Sequence, residues 1–361
     1  QISSTGIGAV VFTGVVTCQN FVRFNIGINT FMELRGGVNI AQATDLSITG
    51  KIKFTVNNQT VVSVNNFALN LIGNLEVDSN IIVDFTTANI NVNGNIIGLN
   101  ANSTLRLRRN SIYSGSLIPM ETGVLDCNYT TSSFNYYLVG NQSIKGANYW
   151  DLTASGSGTK TLTGDIAANN LTVSGGLLEL GIYNVTLSAL INLQGGSILR
   201  TPASTGKLLK SNGLFGNFGG NSINLGSTND IEITGTINND TNTITCRTLI
   251  LSNTLSFTRL GNAFTVNGNI NISNGITVTN SGQITHNGVL NGLNSSSVFV
   301  NSSVATYRFL SNNTAMSLGV FTQNGSIEYT ICIFCEISDF WNWNKNFNIR
   351  YIYQWHFFNS K

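Results

Sequence analysis

The chain has 361 residues, of which 9% are charged, whereas an ordinary soluble domain carries about 25% charge. Since 42% of the residues are hydrophobic, a core can form, which excludes disorder of the charged kind. The net charge of +2 argues against nucleic acid as a partner, and no apolar run approaches the roughly 18 residues of a membrane-spanning helix. The sequence is instead rich in Asn, Ser, Thr and Gly, most of which disfavour helices, so we predict an all-β protein.

Residues 1–40 differ from the adjoining residues 41–140 because their apolar stretches are longer, as in GAVVFTGVV and FVRFNIGI. The chain begins with Gln1 and not with Met, which fits the mature end left after a signal peptide is removed. We therefore expect a secreted or cell-surface protein in which residues 1–40 cap the fold or dock on a neighbouring molecule.

Residues 41–140 repeat a short motif in which a polar residue separates two apolar ones. This period of two is that of a strand with one buried face, and Asn, Gly and Ser between the motifs favour turns. We predict a first module with strands at 46–48, 52–54, 61–64, 69–71, 75–77, 81–83, 90–92 and 105–107.

Residues 141–330 repeat the motif and form a predicted second module. The pattern MxxGV, which occurs at 120–124 and again at 316–320, suggests this division into two modules. The predicted strands are 171–173, 178–180, 185–187, 191–193, 197–199, 231–233, 244–246, 264–266, 270–272, 276–278 and 298–300.

Two all-β architectures compete for these strands. Antiparallel sandwiches space short strands by about 8–12 residues, but here the step is commonly six to eight residues. A parallel β-helix, or β-solenoid, with short strands and roughly 20 residues per turn fits this spacing better. Asn would then stack at the corners in side-chain ladders and adopt the left-handed backbone that sharp corners need. We predict the β-solenoid.

The last segment, residues 331–361, contains no Gly and is rich in aromatic residues. A solenoid end exposes strand edges and apolar core, so it needs a cap against association. We predict that this segment is such a cap or a docking tail, with a flat aromatic face for glycans as the alternative. The candidate aromatic residues are Trp341, Trp343, Tyr351, Tyr353 and Trp355.

One acidic cluster is a candidate site, formed by Glu76, Asp78 and Asp84 on neighbouring predicted strands. Glycoside hydrolysis requires two carboxylates within about 5–9.5 Å of each other, and calcium also binds carboxylates. The alternative is that the three side chains are simply solvated on the outer face.

The densest basic run contains Arg106, Arg108 and Arg109. Arg106 and Arg108 share one face of a strand because side chains alternate along it. They form a candidate patch for a phosphate or an anionic glycan, with a solvated strand face as the alternative.

No sequence motif assigns a catalytic residue, a cofactor or a metal. Five Cys in a long chain do not form a disulfide framework. Cys332 and Cys335 form a C-x-x-C pair, but neither a second pair nor a nearby His completes a zinc site.

The stretch NYWDLTASGSGTKTLTGDIAANNLTVSGG resembles the Asn/Gly/Thr-rich repeats of secreted surface proteins in Gram-negative bacteria. These include filamentous-haemagglutinin-like adhesins and the repeat stalks of type-nine-secreted proteins. The resemblance covers residues 40–330 in the style of the repeat and implies export, a β-solenoid fold and an adhesive or fibre-forming role. The aromatic tail stands where such proteins carry a C-terminal sorting domain.

These observations favour a non-enzymatic extracellular β-solenoid that serves as an adhesin stalk or as the subunit of a self-assembling surface fibre. Its expected partners are further copies of itself, other surface proteins and glycans. The alternative is a carbohydrate-binding or polysaccharide-degrading β-helix protein.

Overall fold

The computed structural model contains two compact units, Gln1–Val185 and Thr186–Lys361, called here the first and the second unit. Within the part of the chain that the structure describes, the only helical element is one 3-10 turn, Val64–Asn66. The described residues are all except 1, 5–7, 20–22, 28, 42–45, 201–203, 217–220, 236, 240–242, 253–254, 259–262, 293–295, 304, 310–315, 318–319, 324–325, 331–348 and 353–361.

The first unit consists of short strands. In chain order they are β1 Ile2–Ser4, β2 Gly8–Phe12, β3 Val16–Cys18, β4 Arg23–Ile26, β5 Thr30–Leu34, β6 Val38–Ile40, β7 Leu46–Thr49, β8 Lys51–Phe54, β9 Gln59–Ser63, β10 Ala68–Leu71, β11 Leu75–Val77, β12 Ile82–Phe85, β13 Asn89–Val92, β14 Ile96–Gly98, β15 Thr104–Leu107, β16 Asn110–Tyr113, β17 Val124–Asp126, β18 Ser133–Tyr136, β19 Gln142–Ile144, β20 Asp151–Ser155, β21 Thr159–Leu162, β22 Ile166–Ala168, β23 Asn170–Ser174 and β24 Leu177–Glu179.

The second unit continues this pattern. Its strands, including one at the boundary, are β25 Val185–Leu187, β26 Leu190–Leu193, β27 Ser197–Leu199, β28 Leu208–Ser211, β29 Gly213–Gly216, β30 Ser222–Asn224, β31 Asp230–Ile233, β32 Ile237–Asn239, β33 Thr243–Cys246, β34 Leu249–Leu251, β35 Leu255–Thr258, β36 Ala263–Val266, β37 Ile270–Ile272, β38 Thr277–Asn280, β39 Gln283–His286, β40 Leu290–Gly292, β41 Val298–Asn301, β42 Thr306–Phe309, β43 Met316–Ser317, β44 Val320–Gln323, β45 Ser326–Thr330 and β46 Ile349–Ile352.

Three parallel sheets wrap most of the first unit, and the chain visits them in turn. Sheet A contains β1, β4, β7, β10, β13, β16, β18, β20 and β23; sheet B contains β2, β5, β8, β11 and β14; sheet C contains β3, β6, β9, β12, β15 and β17. Each strand pairs with its equivalent one coil later, so that Leu69 of β10 pairs with Ile90 of β13, 21 residues further on. The predicted parallel β-solenoid with roughly 20 residues per turn is confirmed.

Side-chain alternation forms the core of these coils. Leu75 and Val77 of β11 point inward and are fully buried, and the register places Val77 beside Phe54 of the preceding coil. Burying one such side chain contributes about 1.5–3 kcal/mol. Because each coil repeats this arrangement, stacked apolar side chains stabilise the fold from coil to coil.

The corners are held by small and amide residues. Gly50, Gly73 and Gly94 stack so closely that a Cβ on Gly73 would overlap the carbonyl oxygen of Gly50. Asn100 donates a hydrogen bond of 3.1 Å from Nδ2 to Oδ1 of Asn80, one coil away. Asn58, Asn66 and Asn80 have positive φ angles. Both predicted roles of Asn, ladder formation and left-handed corners, are therefore observed.

The regular coils of the first unit are broken at residues 113–150, called here the interruption. Sheet B ends with β14 and sheet C ends with β17, while β19 begins a new sheet with β21 and β24. The buried rings of Tyr113, Phe134, Tyr136 and Tyr149 cluster there, with 4.8 Å between the ring centroids of Phe134 and Tyr136. A cluster of four aromatic rings thus replaces the mainly aliphatic stack of the earlier coils.

The hydroxyl groups of this aromatic cluster have partners. The hydroxyl oxygens of Tyr136 and Tyr149 lie 2.9 Å apart, and Tyr149 donates a hydrogen bond of 2.7 Å to the carbonyl of Lys145. Tyr113 donates to the carbonyl of Leu117 at 2.7 Å. These bonds offset the cost of taking phenolic groups out of water.

The strands of the second unit are also paired in parallel, as β28 with β31 and β31 with β34. Its core also includes polar side chains, because Asn280 and Asn301 are buried and joined by a hydrogen bond of 2.8 Å. His286 and Tyr307 are fully buried, and the Tyr307 hydroxyl lies 2.9 Å from Nδ1 of His286.

The predicted segment boundaries at residues 40, 140 and 330 stay predictions.

Candidate functional site

Charged side chains of the first unit gather on the outer faces of sheets B and C. Outward positions of neighbouring strands lie about 4.8 Å apart, so a charge on one coil faces the charges one coil away. The sheet B ladder consists of Glu33, Arg35, Lys51, Lys53, Glu76 and Asp78. The sheet C ladder consists of Asp84, Arg106, Arg108 and Asp126, together with Tyr129.

The sheet B ladder alternates in sign from coil to coil. Glu33, Lys53 and Glu76 occupy one register row on β5, β8 and β11. Lys53 Nζ lies 3.5 Å from Glu76 Oε1 and 3.3 Å from Asp78 Oδ2. Lys51 forms a further ion pair with Glu76. The structure therefore places the candidate acids Glu76 and Asp78 against lysines.

Neighbouring side chains cover part of this ladder. Glu76 is only 7% exposed, although it occupies an outward position on β11. Burial opposes the charge of Lys53, but its contacts with Asp78 and Glu76 outweigh burial and raise the pKa of Lys53. The pKa of Glu33 is lowered, chiefly because Arg35 donates a hydrogen bond of 2.7 Å to its carboxylate. Both shifts favour the charged forms.

The sheet C ladder repeats the alternation. Asp84, Arg106 and Asp126 occupy one register row on β12, β15 and β17. Arg108 contacts both carboxylate oxygens of Asp84, with Nε 2.8 Å from Oδ1 and Nη2 2.6 Å from Oδ2. This geometry is the strong, two-pronged form of an arginine–carboxylate pair, and it raises the pKa of Arg108.

Tyr129 contacts both ion pairs of the sheet C ladder, through Asp126 of one pair and Arg108 of the other. Its hydroxyl donates a hydrogen bond of 3.0 Å to Asp126 Oδ2, and its ring centroid lies 4.4 Å from the guanidinium carbon of Arg108. Burial, followed by the bond to Asp126, raises the pKa of Tyr129. The ring therefore acts as a neutral donor and as a platform for the arginine.

The candidate residues do not come together as one site. Glu76 lies on β11 of sheet B and Asp78 directly follows that strand, whereas Asp84 lies on sheet C. Arg106 and Arg108 lie on the same outer face, as alternation along the strand requires, and each faces a carboxylate. An anionic ligand would have to compete with Asp84 and Asp126 for these arginines. Arg109 follows at the corner before β16.

Sequence reasoning missed the partners of these residues. Lys51, Lys53, Asp126 and Tyr129 were not singled out, although they complete both ladders. The available signal was the recurrence of opposite charge after about one turn. Lys53 follows Glu33 by 20 residues, and Asp126 follows Arg106 by the same interval.

The second unit uses the same device. Lys210 and Glu232 are register partners on β28 and β31, and Lys210 Nζ lies 3.0 Å from Glu232 Oε1. Arg247 makes a two-pronged contact with Asp230, at 2.8 Å and 2.6 Å. Charge pairing between coils is therefore common to both units.

Lys160 is a buried amine and so a formal candidate nucleophile. It is 1% exposed, and burial lowers its pKa. Its ammonium group donates hydrogen bonds of 2.6, 2.8 and 3.0 Å to the carbonyls of Leu138, Gly140 and Ser157. All three of its donors are therefore engaged in holding a corner of the coil.

The remaining candidates concern metals, membranes and the aromatic tail. Among the described residues, no group of three or more His, Cys, Asp or Glu side chains could hold a metal ion. The helical part of the described chain offers nothing long and apolar enough to cross a membrane. Two further sets of candidates lie outside the residues whose side chains the structure describes: Trp341, Trp343, Tyr351, Tyr353 and Trp355, and the pair Cys332 and Cys335.

The chain was compared with family models, with curated proteins and with solved structures, and it matches none of them.

Proposed function

We propose that the chain is a non-catalytic, extracellular structural β-solenoid, acting as an adhesin stalk or as the subunit of a surface fibre. The pairing of charge between coils carries this proposal. In both ladders of the first unit, carboxylates that could act as acids or metal ligands face Lys or Arg one coil away. These ion pairs join neighbouring coils and so stabilise their stacking.

Repetition also suits this role. A solenoid presents the same backbone geometry on every coil, so one contact with a second molecule can be repeated along its length. Contacts that do not close into a ring generate filaments. The net charge of +2 limits repulsion between copies, and the resemblance to surface adhesins points to the same role.

Electron microscopy of the purified full chain tests the proposal. We expect filaments or larger ordered assemblies at micromolar concentration. Deleting residues 331–361, the predicted docking tail, should abolish these assemblies while the β-sheet circular dichroism is preserved. Discrete monomers of the full chain at every concentration would contradict the structural role.

Carbohydrate binding is the second candidate because Tyr137 is 50% exposed on the first unit, and an exposed aromatic ring can stack on a sugar. The polysaccharide-degrading version relies on Glu76 and Asp78. We would measure polysaccharide cleavage by wild type and by Glu76→Ala combined with Asp78→Ala, with Glu33→Ala as the matched control. Cleavage that only the double variant loses would favour the enzyme.

A further inference from the structure

The outer face of sheet A contrasts with those of sheets B and C because it is almost free of charge. Asp151 is the only charged residue in the seven sheet A strands from β7 to β23. The outward side chains are mostly Asn, Ser and Thr, and this surface is called here the amide face. Its central register row contains Ser47, Asn70, Asn91, Ile112, Asn135, Thr153 and Thr172.

Polar groups of the amide face are already bonded to one another. Asn91 donates a hydrogen bond of 2.7 Å from Nδ2 to Oδ1 of Asn70, and Ser155 donates to Asn135 Oδ1 at 2.6 Å. Asp151, the single charge, accepts a hydrogen bond of 2.7 Å from Asn170. Burying polar groups costs less when their hydrogen bonds are made within the protein. The face can therefore lose its water at a low cost.

Two exposed apolar side chains lie near the middle of the amide face. Ile112 on β16 is 39% exposed, and Tyr137, directly after β18, is 50% exposed. These strands are neighbours, with Ile112 paired to Asn135 and the amide of Tyr137 bonded to the carbonyl of Tyr113. An apolar and aromatic centre surrounded by polar groups is the usual anatomy of a protein–protein interface.

The size of the amide face suits a weak lateral contact. Seven strands at about 4.8 Å spacing and about 15 Å of strand length give about 500 Å² of projected face per copy. Two copies would bury about 1,000 Å², which is at the lower end of specific interfaces. Such a contact gains strength when many subunits repeat it along a fibre.

We propose that the amide face binds the amide face of a second copy of this chain, related by a two-fold axis. The proposal deepens the structural role above and rests on it, since it names the lateral contact of the assembly. A two-fold axis brings the same surface together from both copies, so neutral rows meet neutral rows and the apolar centres meet each other. A neutral glycan fits less well because amides bonded to one another leave fewer donors for sugar hydroxyls.

Sedimentation velocity of the full chain over about 1–100 µM tests this contact, because weak interfaces dissociate in that range. The variant Ile112→Lys with Thr153→Lys places two like charges on the amide face. The matched control, Thr60→Lys with Val124→Lys, adds the same charge to exposed positions on sheet C. We expect wild type and control to form dimers together with the larger assemblies, and the amide-face variant to form dimers at least tenfold more weakly with unchanged circular dichroism.

Three results would overturn the contact. The first is equal dimerisation of all three proteins, and the second is a wild type that is monomeric throughout. The third is an amide-face variant that dimerises normally but loses binding to a soluble neutral glucan, which would assign the face to sugars. Electron microscopy separates this failure from failure of the structural role, since filaments that form without lateral pairing keep the role and remove only the contact.

Discussion

The regular coils from β7 to β15 and the interruption after them bury their interiors by different means. In the regular coils, mostly aliphatic residues stack in register with a few rings such as Phe54, and Gly73 contacts Gly50 so closely that no Cβ fits. In the interruption, four aromatic rings fill the space, and the hydroxyls of Tyr136 and Tyr149 bond to each other. The regular coils therefore depend on the fit of their side chains, whereas the interruption depends on hydrogen bonds that satisfy its buried polar groups.

The largest effect is expected from a single methyl group in the regular coils. Gly73→Ala places a Cβ against the backbone carbonyl of Gly50, which can yield only if the backbone shifts. We expect the free energy of unfolding to fall by about 4 kcal/mol, above the usual range for overpacking. Urea denaturation followed by circular dichroism measures the change.

A matched control uses another corner of the first unit. A Cβ on Gly14 would meet nothing within 4 Å, and Gly14→Ala should change stability by less than about 0.5 kcal/mol. Equal effects of Gly73→Ala and Gly14→Ala would show that close stacking does not limit the regular coils.

The second largest effect concerns a buried polar group in the core of the second unit, the imidazole of His286. Burial lowers the pKa of His286 from 6.5 to about 4. The unfolded chain therefore takes up a proton near pH 6.5, whereas the folded chain does so only near pH 4. Because the folded state keeps His286 neutral, it is not weakened by protonation above pH 6.5. As the pH falls towards 4, the unfolded chain binds the proton first, and the free energy of unfolding falls by about 3 kcal/mol.

The free energy of unfolding is measured from pH 7 to pH 4 for the wild type and for the double variant His286→Leu with Tyr307→Phe. The double variant removes the titrating ring together with the hydroxyl that lies 2.9 Å from it. Its stability should depend less on pH. Identical pH profiles for the two proteins would contradict the assignment of the acid response to His286.

The smallest effect is expected from removing one hydroxyl in the interruption. Tyr149→Phe deprives both Tyr136 and the carbonyl of Lys145 of a partner, at a cost of about 2 kcal/mol in unfolding free energy. Tyr137→Phe removes the hydroxyl of an exposed ring nearby and should cost less than about 0.5 kcal/mol. If thermal unfolding shows the two variants to be equally stable, hydroxyl pairing does not hold the interruption.

Strand positions could be predicted from the sequence because three residues, apolar, polar and apolar, are enough to show the alternation of a strand with one buried face. The triplet at 75–77 coincides with β11, and the triplet at 90–92 lies within β13. The fold could be predicted from the spacing of such triplets. The interruption was not predicted, and no strand was predicted between residues 107 and 171. In β16 the polar Ser111 and the ring of Tyr113 point inward while Ile112 is exposed, so the apolar triplet is absent there.

The partners in the candidate site could not be predicted because the register between coils varies. Phe24 pairs with Ile48, 24 residues later, whereas Phe134 pairs with Leu152 only 18 residues later. A shift of one residue moves a side chain to the opposite face. The sequence therefore showed that Glu76 is outward but not that Lys51 and Lys53 lie beside it.

The register of the first unit also bears on how the chain acquires its structure. Because Leu69 pairs with Ile90 and each coil contacts mainly its neighbours, the contacts join residues that are close in sequence. A finished coil offers an open row of amides and carbonyls on which the next coil can form. Folding can therefore proceed by templated growth as the chain emerges, and duplication of one whole coil would lengthen the protein without changing the geometry of any other.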